Sequence, residues 1–291
     1  MKWTNSSLNR DRSQATKTPN DFRKLRQQAS LKTQGRGWGT CRLCEENGDL
    51  RESHITSKFL WKVTGIIGNK RKFSATSTSH PHLSEPHRQD AFKEYLLCDR
   101  CEAQFGRYEA YARKKFFGKN SPLLNRPNQH YIWTGLDYRR LKLFQMSLLW
   151  RMGVSSHPYY AGVKLGKHEA IMRSMLHAED PGEPWQYGCI ATLLSHARKP
   201  LVAFFSQAER IQLWGHSCYR LALAGMHWFT FVSSHKPSPT ACELFLNREG
   251  SWLLFHGEVF DFPYLRAQVM ELRARDKAMG SQNSREDNQI S

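Results

Sequence analysis

From Cys101 onward, hydrophobic residues recur at intervals of three and four, a spacing that places them on one face of an α-helix. This hydrophobic stripe consists of Phe105, Tyr108, Ala112, Phe116 and Phe117. The strongly apolar run Leu141–Trp150 predicts a second helix at the centre of a folded domain. The segment Lys167–Leu176 predicts a third helix, which Asp180-Pro181-Gly182 would end.

Beyond residue 200, the pattern changes to short apolar runs separated by turn residues, which is typical of β-strands. A short strand leading into a helix is also predicted over Leu50–Leu60, and a last helix over Pro263–Met279. Helices and strands that follow one another in this way indicate an α+β fold, with an antiparallel sheet in the C-terminal domain. The predicted strands are Leu201–Phe205, His227–Val232, Cys242–Leu246 and Trp252–Phe255, with a hairpin turn at Asn247–Gly250.

Polar stretches divide the chain into five predicted segments. The first 39 residues are polar and basic, so they bury little and indicate a flexible arm. Pro122 and Pro127 indicate a linker after the first helix. The five segments are the basic flexible arm (1–39), a metal-binding module (40–118), a linker (119–135), an α+β C-terminal domain (136–279) and a disordered tail (280–291).

The formal net charge of the 291-residue chain is +17, and most of it belongs to the first part. Residues 1–130 contain 25 Lys and Arg against 12 Asp and Glu, whereas residues 131–291 contain 18 against 14. Such a charge favours a polyanionic partner, and nucleic acid, DNA in particular, is the predicted one. A generally basic protein without this partner is the alternative. No apolar run approaches the roughly 20 residues that span a bilayer, so no membrane association is predicted.

Two Cys-x-x-Cys pairs, Cys41/Cys44 and Cys98/Cys101, are the strongest chemical signal in the sequence. Four thiolates in two such turns can hold one tetrahedral structural zinc ion. Two unrelated cysteine pairs, or one redox-active pair, are the alternatives. The chain has seven cysteines, and this odd number fits a reducing compartment better than a disulfide framework, so a cytoplasmic location is predicted.

His54 and Glu102 are candidate catalytic residues because both lie close in sequence to the cysteine pairs. A neutral imidazole can take a proton from a water molecule that attacks a phosphodiester. A carboxylate beside the fixed Cys101 can ligate a divalent ion that stabilises the leaving oxygen. A packed or zinc-ligating histidine is the alternative for His54.

The arrangement of these residues resembles the zinc-stapled branch of the HNH endonucleases. The resemblance covers about 65 residues, from 40 to 105, and a weaker one to uncharacterised bacterial proteins extends over most of the chain. It is carried by Cys41-x-x-Cys44, by Ser53-His54-Ile55 and by Cys98-x-x-Cys101 followed by Glu102.

The resemblance implies a small ββα-metal (treble-clef) fold for the module and a metal-dependent nuclease activity, by analogy in defence against phage. His54 takes the place of the general base. Ser53 and Glu102 take the two positions that hold Mg²⁺ or Mn²⁺ in the family, where an acidic residue and an Asn or His are usual. A zinc module without catalytic activity, which binds nucleic acid or a protein partner, is the alternative.

Several further residues are assigned supporting roles. Arg88 is expected to clamp a phosphate and Asp90 to supply the carboxylate that Ser53 lacks, unless the two form a surface pair. Glu109 is expected to pair with Arg113 four residues later, or to contact residues of the site without contacting the ion itself. An operon-encoded partner or a homo-oligomer is also compatible with the C-terminal domain. The predicted nucleic-acid contacts are Arg36, Lys58, Lys62, Lys70, Arg71 and Lys72.

The aromatic residues beside the first cysteine pair have two possible roles. Trp38, Phe59 and Trp61 could stack on nucleic-acid bases. Packing against the zinc-binding turn is the interpretation that we favour from the sequence.

Overall fold

The structure is a computed structural model that describes residues 37–63, 73–75, 85–88, 92–123, 130–197, 199–201 and 205–270. It is a mixed α+β fold with six α-helices in these ranges. None of these helices is both long and apolar enough to cross a membrane.

The first part of the chain forms a three-stranded antiparallel sheet followed by a long helix. Helix α1 (Lys58–Val63) follows the second strand, and helix α2 (Asp99–Phe117) begins directly after the last one. A separate hairpin precedes that last strand. The sheet has the order β1 (Gly37–Thr40), β2 (Asn47–His54), β5 (Lys93–Cys98), and the hairpin consists of β3 (Phe73–Ala75) and β4 (Glu85–Arg88).

The described residues of the second part of the chain form a seven-stranded sheet and four α-helices. Its strands have the order β6-β12-β7-β11-β10-β9, and β8 pairs with β7. The strands are β6 (His130–Trp133), β7 (Cys189–His196), β8 (Lys199–Pro200), β9 (Glu209–Leu213), β10 (His216–Leu223), β11 (Met226–Phe231) and β12 (Trp252–Glu258). The helices are α3 (Tyr138–Val154), α4 (Lys167–His177), α5 (Pro239–Cys242) and α6, of which residues 263–270 are described.

Helix α3 is the centre of the molecule, since both parts of the chain pack against it. The helix is buried along almost its whole length and contacts α2 on one side and α4 on another. Phe116 of α2 packs against Phe144 of α3, and also against Trp133 and Trp228 of the large sheet. One hydrophobic core therefore extends from the small sheet to the large sheet.

Most of the predicted helices and strands are confirmed. The predicted helices after Cys101, at Leu141–Trp150 and at Lys167–Leu176 correspond to α2, α3 and α4. The strands at His227–Val232 and Trp252–Phe255 correspond to β11 and β12. The last helix begins at residue 263 as predicted.

One predicted strand of the large sheet is corrected. Cys242–Leu246 is not a strand, because Ser238 caps the short helix α5, and turns follow it up to Leu246. The Ser238 hydroxyl accepts a hydrogen bond from the amide of Ala241, and Pro239 opens the helix. The sheet is antiparallel except for β12 and β7, which pair in parallel.

The predicted segment boundaries stay a prediction, with two observations beside them. Residues 37–39 of the predicted arm belong to β1, and β6, inside the predicted linker, pairs with β12 of the large sheet. Residues 1–36 of the arm, the tail 280–291 and most of Leu201–Phe205 lie outside the described residues.

Candidate functional site

The four cysteines of the two Cys-x-x-Cys pairs form one cluster. Cys41 and Cys44 lie in the turn between β1 and β2, Cys98 ends β5, and Cys101 lies in the first turn of α2. Their four sulfur atoms all lie within 4.8 Å of one another. The cluster could bind a metal ion such as zinc.

The spacing of the sulfurs fits a tetrahedral ion. A tetrahedron with Zn–S bonds of about 2.3 Å has edges of about 3.8 Å. The Sγ atoms of Cys44 and Cys98 are 3.8 Å apart, far beyond a disulfide bond, and all seven cysteines are free thiols. The donor set of four sulfurs is therefore the one that a closed structural zinc site uses.

Backbone hydrogen bonds hold the first cysteine turn against β5. The register of β2 and β5 shifts at Arg51/Glu52, and the Leu96 carbonyl group in the irregular stretch accepts a hydrogen bond from the amide of Arg42 at 2.9 Å. The amide of Cys98 points to the Sγ atom of Cys41 at 3.3 Å, a contact that favours a thiolate. The two Cys-x-x-Cys turns, which are far apart in the sequence, are thus brought together by the small sheet as well as by the cysteines.

Metal retention is expected to depend on pH. Burial, then hydrogen bonding to Cys98 and the charge of Cys41, raises the pKa of the Cys101 thiol when no metal is bound. A metal ion must displace this proton, so affinity falls as the pH falls. Lowering the pH from about 7.5 to about 5 is expected to release the metal, measured with a chromogenic chelator. Retention that does not change with pH would contradict this.

Ser53 and Glu102 are in direct contact beside the cysteine cluster. Ser53 is fully buried near the end of β2, and Glu102 is half-buried in the first turn of α2, next to Cys101. The Ser53 hydroxyl group donates a hydrogen bond to Oε2 of Glu102 at 2.7 Å. Two oxygen donors that the resemblance assigns to one ion are therefore neighbours in the fold.

His54, the residue after Ser53, ends β2 and is half-buried. Its carbonyl group accepts a hydrogen bond from the guanidinium of Arg151 at 2.9 Å. The next amide, that of Ile55, donates to the carbonyl group of Phe92 at 3.0 Å. The peptide group between His54 and Ile55 is therefore held on both of its polar sides.

Two other carboxylates near the motif pair with basic residues. Glu52 is exposed and lies 3.5 Å from the amine of Lys93, and Asp99 pairs with Arg51. Glu102 is thus the carboxylate that contacts Ser53.

The residues expected between the two cysteine pairs are only partly described. Arg88 ends β4 opposite Phe73, and its backbone alone is described. Asp90 lies outside the described residues, so its role as a substitute carboxylate stays a prediction.

The predicted nucleic-acid contacts are also described only in part. Lys58 is exposed at the start of α1, and Lys62 lies on the same helix, described by its backbone. Arg36, Lys70, Arg71 and Lys72 lie outside the described residues.

The three aromatic residues beside the first pair divide into two groups. Phe59 and Trp61 are buried, and the Trp61 ring stacks on Phe205 with centroids 4.2 Å apart, so both are packing residues. Trp38 is 73% exposed on the edge strand β1 and does not pack as we favoured from the sequence.

Glu109 pairs with a residue that the sequence prediction did not choose. Its Oε1 atom lies 2.7 Å from the guanidinium of Arg151, which is 1% exposed on α3. The ion pair therefore connects two helices, instead of linking Glu109 to Arg113 within one helix. The signal for this was an arginine that directly follows the apolar run Leu141–Trp150, in the last turn of α3.

No protein-family model, curated protein or solved structure matches this chain.

Proposed function

We propose that the protein is a metal-dependent endonuclease that cleaves phosphodiester bonds of nucleic acid, DNA in particular, by an HNH-like mechanism. The observation that carries the proposal is the contact of 2.7 Å between Ser53 and Glu102 beside the four-cysteine cluster. His54 is next to Ser53 in the chain, so the three residues of the resemblance come from one strand end and one helix start.

In this proposal, each residue has a distinct part in hydrolysis. The imidazole of His54 takes the proton from the attacking water. Glu102 and Ser53 would hold Mg²⁺ or Mn²⁺, which when bound stabilises the charge on the leaving oxygen. Zinc on the four cysteines would fix Cys101 and therefore the position of Glu102. The net charge of +17 supports attraction of a polyanion to the protein.

Cleavage of supercoiled plasmid with Mg²⁺ or Mn²⁺ tests this function. His54→Ala and Glu102→Ala are each expected to lower the rate by about 100- to 10,000-fold, the usual contribution of a general base or a metal ligand group. Their zinc content should equal that of the wild type. Glu52→Ala is the matched control, because it removes an exposed carboxylate one residue from Ser53. Equal cleavage by the wild type and by both site variants would refute the proposal.

A second candidate function is a zinc module that binds nucleic acid without cleaving it. The observation that favours it is Ser53 itself, a neutral side chain whose hydroxyl is already engaged with Glu102. This function predicts binding whose affinity falls steeply with salt and no turnover with any divalent ion. Defence against invading DNA, a protein partner and a homo-oligomer are further proposals. A pull-down would test the protein partner, and sedimentation would test the homo-oligomer.

A further inference from the structure

Arg151 occupies a buried position where α3 meets the end of β2. Its guanidinium is 1% exposed and makes four hydrogen bonds within 3.3 Å. It donates to the carbonyl groups of Ser147 and His54, to the hydroxyl of Ser57 and to the carboxylate of Glu109. A planar fork with fixed donor directions suits such a set of acceptors, whereas a lysine would reach fewer of them.

The end of β2 and the segment after it are held by hydrogen bonds to two helices and to Phe92. Arg151 of α3 binds the His54 carbonyl group at 2.9 Å, and Glu109 of α2 accepts from the Ser57 hydroxyl at 2.8 Å. Phe92, which immediately precedes β5, accepts from the amide of Ile55. The peptide after His54 is therefore fixed in orientation, and this orientation constrains the direction of the Cα–Cβ bond, which carries the imidazole.

Helix α3 is itself fixed to the small sheet at its C-terminal end. The carboxylate of Glu94 in β5 accepts hydrogen bonds from the hydroxyl of Ser155 at 2.8 Å, and from the hydroxyl and amide of Ser156 at 2.6 and 3.0 Å. Glu94 is opposite Ser53 in the register of β2 and β5. The helix that carries Arg151 is thus bound to β5, which pairs with β2, the strand that ends at His54.

We propose that Arg151 is a positioning residue that sets the direction of the His54 imidazole, so that the second part of the chain controls the geometry of the site. This inference rests on the proposed nuclease function and deepens it. Misplacement of a reacting group by about 1 Å can cost about 100-fold in rate. Removal of Arg151 is therefore expected to lower the rate of the chemical step and to leave substrate affinity unchanged.

The test combines a kinetic measurement with one that does not need catalysis. Arg151→Met is expected to lower the cleavage rate at saturating plasmid by about 100-fold, with KM and zinc content unchanged. Its His54 ring resonances, assigned from His54→Ala in long-range ¹H–¹⁵N spectra, are expected to shift from those of the wild type. Arg107→Met is the matched control, because Arg107 also joins the two parts of the chain, through the carboxylate of Glu179 at 2.7 Å, without contacting a cysteine turn. The control should show neither change.

A double variant separates positioning from stability. Arg151→Met with Glu109→Met removes both buried charges, and such apolar replacements of ion pairs are usually tolerated. It should fold and still show the slow rate and the shifted His54 resonances. A folded double variant with wild-type resonances and a wild-type rate would overturn the inference. If the wild type cleaves no substrate, the nuclease function fails, and the His54 resonances alone then decide whether Arg151 positions the ring.

Discussion

Cys101→Ser is expected to abolish metal binding and to lower the free energy of unfolding by more than about 4 kcal/mol, as loss of a structural metal does. The reason lies in the small sheet, which has only three strands and whose outer strand β1 has only four residues. A metal on Cys41, Cys44, Cys98 and Cys101 would join the β1–β2 turn to the junction of β5 and α2.

The measurements for Cys101→Ser are metal content by atomic absorption and hydrogen exchange of the β2 amides. The amides of β2 are expected to lose protection before those of the large sheet, because β2 borders the cysteine turn. Cys242→Ser is the matched control, since Cys242 is half-buried and lies outside the cluster. A wild type purified without metal, or a Cys101→Ser variant with unchanged protection, would contradict the prediction.

The cysteine cluster and the main helices could be predicted from the sequence because their signals are local. A Cys-x-x-Cys pair is read from four residues, and the stripe on α2 from the spacing of its buried residues Phe105, Tyr108, Ala112 and Phe116. The first turn of α3 is capped by Asp137, whose carboxylate accepts from the amide of Arg140. Such features depend little on the rest of the chain.

The strands of the large sheet were harder to predict, for reasons visible in the burial of their residues. Strand β7 is buried at seven successive positions, so it has no alternation of apolar and polar residues. Strand β6 has only four residues, and its Ile132 is 60% exposed at the edge of the sheet. Cys242–Leu246 is mostly apolar, as a buried strand would be, but the capping signal at Ser238 and Pro239 decides the local structure.

The sequence predicts that Ser53 and Glu102 belong to one site, whereas it does not predict the role of Arg151. Ser53 and Glu102 are 49 positions apart in the chain, and the resemblance to the HNH endonucleases is what assigns them to one ion. Three of the four partners of Arg151, namely His54, Ser57 and Glu109, lie 42 to 97 positions away, and no pattern in the sequence joins them to it. A buried charge in an apolar helix signals that a partner exists without identifying the partner.

Glu109→Met is expected to lower the free energy of unfolding by about 3–5 kcal/mol, because it leaves the buried charge of Arg151 without its carboxylate partner. The side chains of this pair are 1% and 22% exposed, at 2.7 Å. Glu183→Met is the matched control, since Glu183 pairs with Arg248 at 2.6 Å but both side chains are more than half exposed. An exposed pair contributes at most about 1 kcal/mol, so the control should change little. Urea unfolding measures both variants.

The double variant Arg151→Met with Glu109→Met is expected to be more stable than Glu109→Met alone, since the second substitution removes the charge that the first left buried. A double variant as unstable as the sum of the two single variants would contradict a direct interaction. The same variant lacks the donor to the His54 carbonyl group. Its stability is therefore expected to recover, while the orientation of its His54 ring stays altered. Recovery of stability without recovery of the His54 resonances would assign the two effects to different bonds of one guanidinium group.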